Sequence, residues 1–179
     1  FLEGKNIYIK GFERKDINAD YLQFINDSSN NIYLTSNAFP KTKDDLVNYY
    51  NNNKSKNSIL FSVFTKDKHI RVGNASISSI DWIVRQCSYG RLIKKEFQKK
   101  QFGSELLILM QKYVFEILNL NSMSTSVAKN NIASIRSNLK CGMKKIGIKK
   151  DAFFINNKYE DAVLLQLTKS QYLRFYKKN

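Results

Sequence analysis

The stretch that most constrains this chain runs from Tyr89 to Ile117. Tyr89-Gly90-Arg91-Leu92-Ile93 is a short apolar segment that reads as a strand. Further on, Leu106, Leu107, Met110, Tyr113, Val114 and Ile117 recur at helical spacing and define one buried face. Between the two lies the polar run Phe97-Gln98-Lys99-Lys100-Gln101-Phe102-Gly103-Ser104. Strand, polar loop and helix in that order put Gly103 at a helix mouth. The first turn of a helix carries unpaired backbone N–H groups and the positive end of the macrodipole. Such a mouth takes a phosphate or pyrophosphate, and Lys99 and Lys100 add two positive charges beside it. The plain alternative is an ordinary strand-to-helix connection with a solvated lysine pair.

With 179 residues, the chain is long enough for one domain with a sizeable core, and a single domain over residues 1–179 is the expectation. A hydrophobic content of 42% argues for a globular fold rather than disorder. No run approaches the ~18 apolar residues of a membrane span. No signal-peptide pattern follows Phe1, so the expected location is cytoplasmic. Cys87 and Cys141 do not make a disulfide framework and read as reduced, structural residues. His69, the one histidine, sits in a lysine-rich turn without other metal ligands near it, so no metal is expected. The net charge of +15 attracts anions such as nucleic acid, CoA, nucleotide-sugars or acidic proteins. Its lysines are scattered rather than blocked, so the charge reads mainly as a solvated surface and nucleic acid is not the expected partner.

The rest of the chain alternates strands and helices. Residues 7–9 and 59–64 read as strands, and 70–80 pairs with the latter across the turn at 66–69. Asp16 is expected to cap a helix carrying Tyr21, Phe24 and Ile25. Thr42 and Asp45 make a capping box for a helix through Leu46, Val47 and Tyr50. Residues 122–127 alternate as a strand, and Asn131 opens a helix that ends at Cys141-Gly142. A closing hairpin over 144–155 and 159–167 turns at Asn156-Asn157, and Leu173 to Tyr176 suggest a short terminal helix.

Two segments together resemble the GCN5-related N-acetyltransferases. Gln98 and Gly103 match the ends of that family's acyl-CoA loop, and the run from Asn131 through Ser134 and Ile135 to Gly142-Met143 resembles its second motif. Val72-Gly73-Asn74 and Lys158-Tyr159-Glu160-Asp161 are similar to flanking family segments. The wider pattern looks like the branch of ribosomal-protein and amino-sugar acetyltransferases. The resemblance implies an α/β single-domain GNAT-like fold, a mixed central sheet flanked by helices. It implies acetyl-CoA as co-substrate and no metal. The pyrophosphate is then expected on the loop from Gln98 through Lys99, Lys100, Gln101, Phe102 and Gly103 to Ser104. Leu92 and Ile93 are expected to lend backbone to the pantetheine arm, and Asn131 to reach it from the next helix.

The chain departs from the family at informative places. Gln101 stands where a glycine is expected, so it must sit at non-positive φ or weaken the site. Ser88 replaces a glutamate that the branch often carries, and Asn138 replaces a tyrosine that many members use as the acid for the departing thiolate. An amine must be neutral to attack, and a lysine-type amine has a pKa of ~10.4. Asp81 is the expected base, its alternative being a turn residue beside Trp82, and Ser88 is the candidate to hold a relay water. Trp82 and Tyr33 either shape the acceptor site or pack, and Tyr89 reads equally as core. Glu105, in the first helical turn, reads as structural. The expected activity is acetyl transfer to a small primary amine such as an amino-sugar nucleotide. The alternatives are a protein N-terminal acetyltransferase and a non-catalytic acyl-CoA or nucleic-acid binder.

Overall fold

The computed structural model describes residues 1–34 and 39–177. In chain order the elements are β1 (Leu2–Glu3), β2 (Ile7–Gly11), α1 (Ala19–Asn26), α2 (Lys43–Asn52), β3 (Ile59–Thr65), β4 (Arg71–Asp81), β5 (Gln86–Ile93) and α3 (Phe102–Lys112). Then follow β6 (Ser122–Ala128), α4 (Ile132–Lys140), β7 (Lys144–Ile155), β8 (Lys158–Thr168) and α5 (Lys169–Lys177). The strands form one sheet in the order β1-β2-β3-β4-β5-β6-β8-β7. All neighbours pair antiparallel except β5 and β6. This is the mixed, helix-flanked α/β sheet that the sequence implied.

Alternation along the strands decides which helix covers which face. On β5, Ile93 packs into the larger core under α3, with Leu106, Leu107, Met110 and Val114 fully buried. Its neighbour Leu92 packs into a second cluster with Phe12, Tyr21, Phe24, Ile25 and Leu46 under α1 and α2. So α3 covers one face and α1 with α2 the other.

The parallel pair is short. Gln86, Cys87 and Ser88 face Ser122, Met123 and Ser124, and pairing then stops. Yet β5 continues to Ile93 and β6 to Ala128. Beyond Ser88 the two strands part, and the sheet opens between them towards the mouth of α3.

Local chemistry explains most boundaries. Thr42 Oγ1 accepts from the Asp45 N–H at 3.1 Å while Asp45 Oδ2 accepts from the Thr42 N–H at 2.8 Å, completing the expected capping box. Gly142 takes φ +88° just after α4, and Asn156 and Asn157 take φ +51° and +59° in the β7–β8 turn. Asp16 corrects the expectation. The cap of α1 is Asn18, whose Oδ1 accepts from the Tyr21 N–H at 2.9 Å. A single 3-10 turn, Arg14–Asp16, intervenes and carries Asp16 inward instead. Its carboxylate accepts from the Glu13 N–H and the Ser62 hydroxyl, each at 2.9 Å. The end of α3 also differs, because Tyr113–Ile117 closes it as a π-helical turn, which helical periodicity alone does not separate from α. Glu105 is structural, as expected: its carboxylate accepts from the N–H groups of Asn6 at 2.7 Å and Ile7 at 3.1 Å. His69 is exposed and both cysteines are buried and free. No helix among the described residues is long and apolar enough to cross a membrane.

Burial pushes the Asp16 carboxyl up, but its two hydrogen bonds and the charges of Lys10 and Arg71 outweigh this and hold it below the ordinary carboxylate value. A depressed folded pKa adds stability above the unfolded value, and that stability is lost as pH falls through the folded one. Asp16→Asn is therefore expected to cost about 2 kcal/mol at pH 7. In urea melts the gap to the wild type should narrow below about pH 4. An equal deficit at pH 7 and pH 3 would contradict an ionised Asp16 as its source.

Candidate functional site

The loop between β5 and α3 is built to point backbone N–H groups outward. Gln98 anchors it: its Nε2 donates to the Ile93 carbonyl at 3.1 Å and to Asn30 Oδ1 at 3.3 Å. Lys99 and Gln101 then take φ +61° and +64°, both left-handed. Of the two alternatives for Gln101, a non-positive φ is thus not the one adopted. The glutamine adopts the conformation glycine usually supplies, at a cost of roughly 1–2 kcal/mol. Its carbonyl is held in return by the N–H groups of Ser104 and Glu105, both at 3.0 Å. The Arg91 guanidinium donates to the Gly103 carbonyl and fixes the same turn from below. Among the described residues, the N–H groups of Lys99, Gln101, Phe102 and Gly103 are given no backbone or side-chain acceptor. Left-handed Lys99 and Gln101, one residue apart, turn the free N–H groups around them towards an anion nest. It lies at the positive end of α3, beside two exposed lysines, so the residues present fit a pyrophosphate.

Two cavities flank β5 beyond its last paired residue. The first, of about 550 Å³, fills the gap between β5 and β6 and is lined by Ser88, Tyr89, Gly90 and Arg91, by Ser124 to Ala128, and by one face of α4. That face is Asn131, Ser134 and Asn138, spaced three and four residues apart. The second, of about 560 Å³, lies between α1, α2 and β3–β5 and is lined by Tyr21, Asp45, Tyr49, Asn74 and Leu92. Leu34, Gly90 and Arg91 line both. The two cavities therefore lie side by side at Gly90, where an added Cβ would already press on Ser76 Oγ at 3.1 Å.

The structure gathers some of the expected residues and not others. Ser88, Asn131 and Tyr33 line the first cavity, and Leu92 lines the second. Asn131 also caps α4, its Oδ1 accepting from the Ser134 N–H at 3.2 Å. Ile93 stands where β5 runs into the loop, and Ser104 ties α3 to α4 through Ser137 Oγ at 2.9 Å. Asp81 and Trp82 lie apart, in the β4–β5 turn at the paired end of the sheet. Asp81 Oδ1 accepts from the N–H groups of Ile83 and Val84, each at 2.9 Å, and Trp82 Nε1 donates to the Lys56 carbonyl at 3.1 Å. These are turn contacts, and neither residue is among the described residues lining these two cavities. Sequence reasoning missed Tyr21, Asp45, Tyr49, Asn74 and Arg91. Only Arg91 carried a signal, as a charge inside an apolar strand.

The electrostatics are sparse. Asp45 is the single carboxylate among the described residues lining the second cavity, against Lys41 and Arg91. The Thr42 N–H and hydroxyl hold it below the usual carboxylate range, so it stays ionised. Burial pushes the phenols of Tyr21 and Tyr89 up to about 12. No group of three or more potential metal ligands exists among the described residues.

Residues 6–144 match the acetyltransferase (GNAT) domain family, and the chain belongs to it. It is a GNAT-type N-acetyltransferase. A spermidine N(1)-acetyltransferase of Vibrio cholerae is 28% identical over 92% of this chain and 94% of its own length. An uncharacterised N-acetyltransferase of Bacillus subtilis, YnaD, is 28% identical over 84% of this chain and 83% of its own. The solved V. cholerae spermidine N-acetyltransferase in complex with CoA and spermine superposes with a TM-score of 0.81, at 27% identity, over 93% of this chain and 98% of that one.

Gln101→Gly should relieve the left-handed strain and add about 1 kcal/mol, a melting-temperature rise of roughly 2–4 °C. Gln101→Val, β-branched at the same φ, should lower it by at least as much. Equal melting temperatures for the two variants would show that Gln101 is not left-handed in solution.

Proposed function

We propose that the protein transfers acetyl from acetyl-CoA to a weakly basic primary amine of an anionic small molecule, of the amino-sugar nucleotide class, in the cytoplasm. The donor's pyrophosphate binds the nest of N–H groups from Lys99 to Gly103, with Gln98 and Ser104 bracing it, and its pantetheine arm lies in the β5–β6 gap past Asn131. The acceptor occupies the second cavity, and its amine meets the thioester at Gly90.

The charge of the second cavity carries this reading. One carboxylate faces two cations on a chain of net charge +15, which suits an acceptor bearing phosphates. The absence of a strong base among the described lining residues points the same way. Asp45 is locked in its capping box, and Ser88 does not titrate near neutrality. Without a base, the rate follows the fraction of amine already neutral. At pH 7 that fraction is about one in ten for a pKa near 8 but about one in 2,500 for a pKa of 10.4. Ring amines flanked by electron-withdrawing hydroxyl groups belong to the more favourable class.

A second reading, a polyamine acceptor, draws on the relatives named spermidine acetyltransferases. It requires the second cavity to hold several positive charges with Asp45 alone as counter-ion among its described lining residues. Initial rates decide between them. With a panel of UDP-amino-deoxysugars, spermidine, spermine and a short peptide with a free α-amine, the expected order places an amino-sugar nucleotide first by at least tenfold in kcat/KM. Preference for spermidine would replace the first reading with the second. For the best acceptor, kcat/KM should rise with pH to the amine's own pKa without a separate enzyme base below it. Acetyl-CoA at about 100 times its Kd should add about 2.7 kcal/mol of stability, read as a melting rise of roughly 5–10 °C. No rise at millimolar acetyl-CoA would remove the donor assignment.

A further inference from the structure

The turn between β4 and β5 carries large apolar side chains outward. Ile83 is 94% exposed, Val84 59% and Trp82 46%. Apolar residues exposed singly are ordinary, but three in succession on a hairpin tip form one patch. The turn beneath them is internally satisfied. Asp81 Oδ1 accepts from the N–H groups of both Ile83 and Val84, and the Trp82 indole N–H goes to the Lys56 carbonyl. These donors would otherwise resist leaving water, and they are already paired within the protein.

Two loops flank this tip. Residues 53–57 meet it through Lys56. Residues 118–121 meet it on the other side, where the Arg85 guanidinium donates to the Asn119 carbonyl and the Lys169 ammonium to Asn119 Oδ1. The Asn121 N–H donates to the Arg85 carbonyl at 2.6 Å, and the Lys169 N–H to the Asn121 carbonyl at 2.8 Å. Segments 53–57, 81–86, 118–121 and 168–170 thus bring Lys54, Lys56, Arg85 and Lys169 around the patch, with Asp81 their one carboxylate. A convex apolar tip in a basic ring suits few partners. A second copy joined tip to tip would set each cation against its own counterpart. A nucleic acid would pair the cations but leave Ile83 and Val84 in water. An anionic lipid surface takes both, because its phosphates meet the ring and its acyl boundary receives the side chains without a pre-shaped groove. Tryptophan is also the residue that settles at a headgroup boundary.

We infer that the β4–β5 tip is a peripheral docking site for an anionic lipid bilayer. Trp82, Ile83 and Val84 enter the headgroup region, and Lys54, Lys56, Arg85 and Lys169 face the lipid phosphates. The inference goes beyond the acetyl-transfer reading and does not depend on which amine is the acceptor. β5 runs from Gln86 to Ile93, and at about 3.3 Å per residue the tip stands about 25 Å from the strand end where the loop to α3 begins. Docking at the tip leaves that loop in solution.

Trp82 is the single tryptophan of the chain, so its fluorescence reports on the tip without a label. The full chain is titrated with vesicles of phosphatidylcholine containing about 30% phosphatidylglycerol, and with phosphatidylcholine alone. With the anionic vesicles the emission should shift to the blue by about 10 nm and be quenched by lipids brominated on their acyl chains. Phosphatidylcholine alone should bind about tenfold more weakly, and added salt should release the protein from the anionic vesicles. Ile83→Asp should weaken vesicle binding about tenfold while its acetyl transfer in solution matches the wild type, which shows that the variant is folded. Lys54→Glu with Lys56→Glu should weaken binding and flatten its salt dependence. The inference is overturned if the anionic vesicles cause no blue shift, if brominated lipids do not quench, or if Ile83→Asp binds as well as the wild type. It is equally overturned if the shift appears without vesicles and grows with protein concentration, because a second copy then covers the tip.

Discussion

The structure turns on a parallel strand pair that is made for three residues and then abandoned. Backbone groups in the middle of a sheet are costly to leave unpaired. Parting β5 from β6 after Ser88 and Ser124 exposes a row of them inside the molecule. The sheet tolerates this because each strand is secured on its other side, β5 to β4 and β6 to β8. The gap in turn places α3. The chain leaves β5 at the open end, turns through the left-handed loop, and starts its helix there, so the loop's free N–H groups and the gap share one entrance. On the proposed reading, a ligand with its own amide groups completes the interrupted sheet.

Much of this was legible in the sequence where one local rule acts alone. The 89–117 run declared a strand, a polar loop and a helix through spacing, and Thr42 with Asp45 declared a cap through side-chain chemistry. Asn156-Asn157 declared a tight turn because both residues tolerate left-handed backbone. Legibility failed where two rules competed. Asp16 has the chemistry of a cap, but Asn18 has it too, and the buried Ser62 hydroxyl claimed the aspartate. Gln101 illustrates tertiary override: its type disfavours positive φ, but Arg91, Ser104 and Glu105 together hold the turn.

The site was half legible for a related reason. Residues that open or cap a helix leave local traces: spacing put Gly103 at a helix mouth and Asn131 at a helix start, whereas Gln98 entered through the family resemblance. Residues gathered from different elements leave none. Tyr21, Asp45 and Asn74 come together only because α1 and α2 pack over one face of β4 and β5. Asp81 and Trp82 follow the long strand expected over 70–80, which suggested a place on the acceptor side next to Ser88. In space, a hairpin turn separates them from it, at the end where the sheet is still zipped.

Glu105 ties Asn6 and Ile7 to the first turn of α3 across 99 and 98 residues of chain. Closing a loop of that length costs about 4 kcal/mol of chain entropy, beyond a constant. During synthesis, this contact cannot form until the helix mouth has left the ribosome. The earliest-made long strand thus gains one of its anchors from a middle part of the chain, and the same contact backs the turn that opens α3.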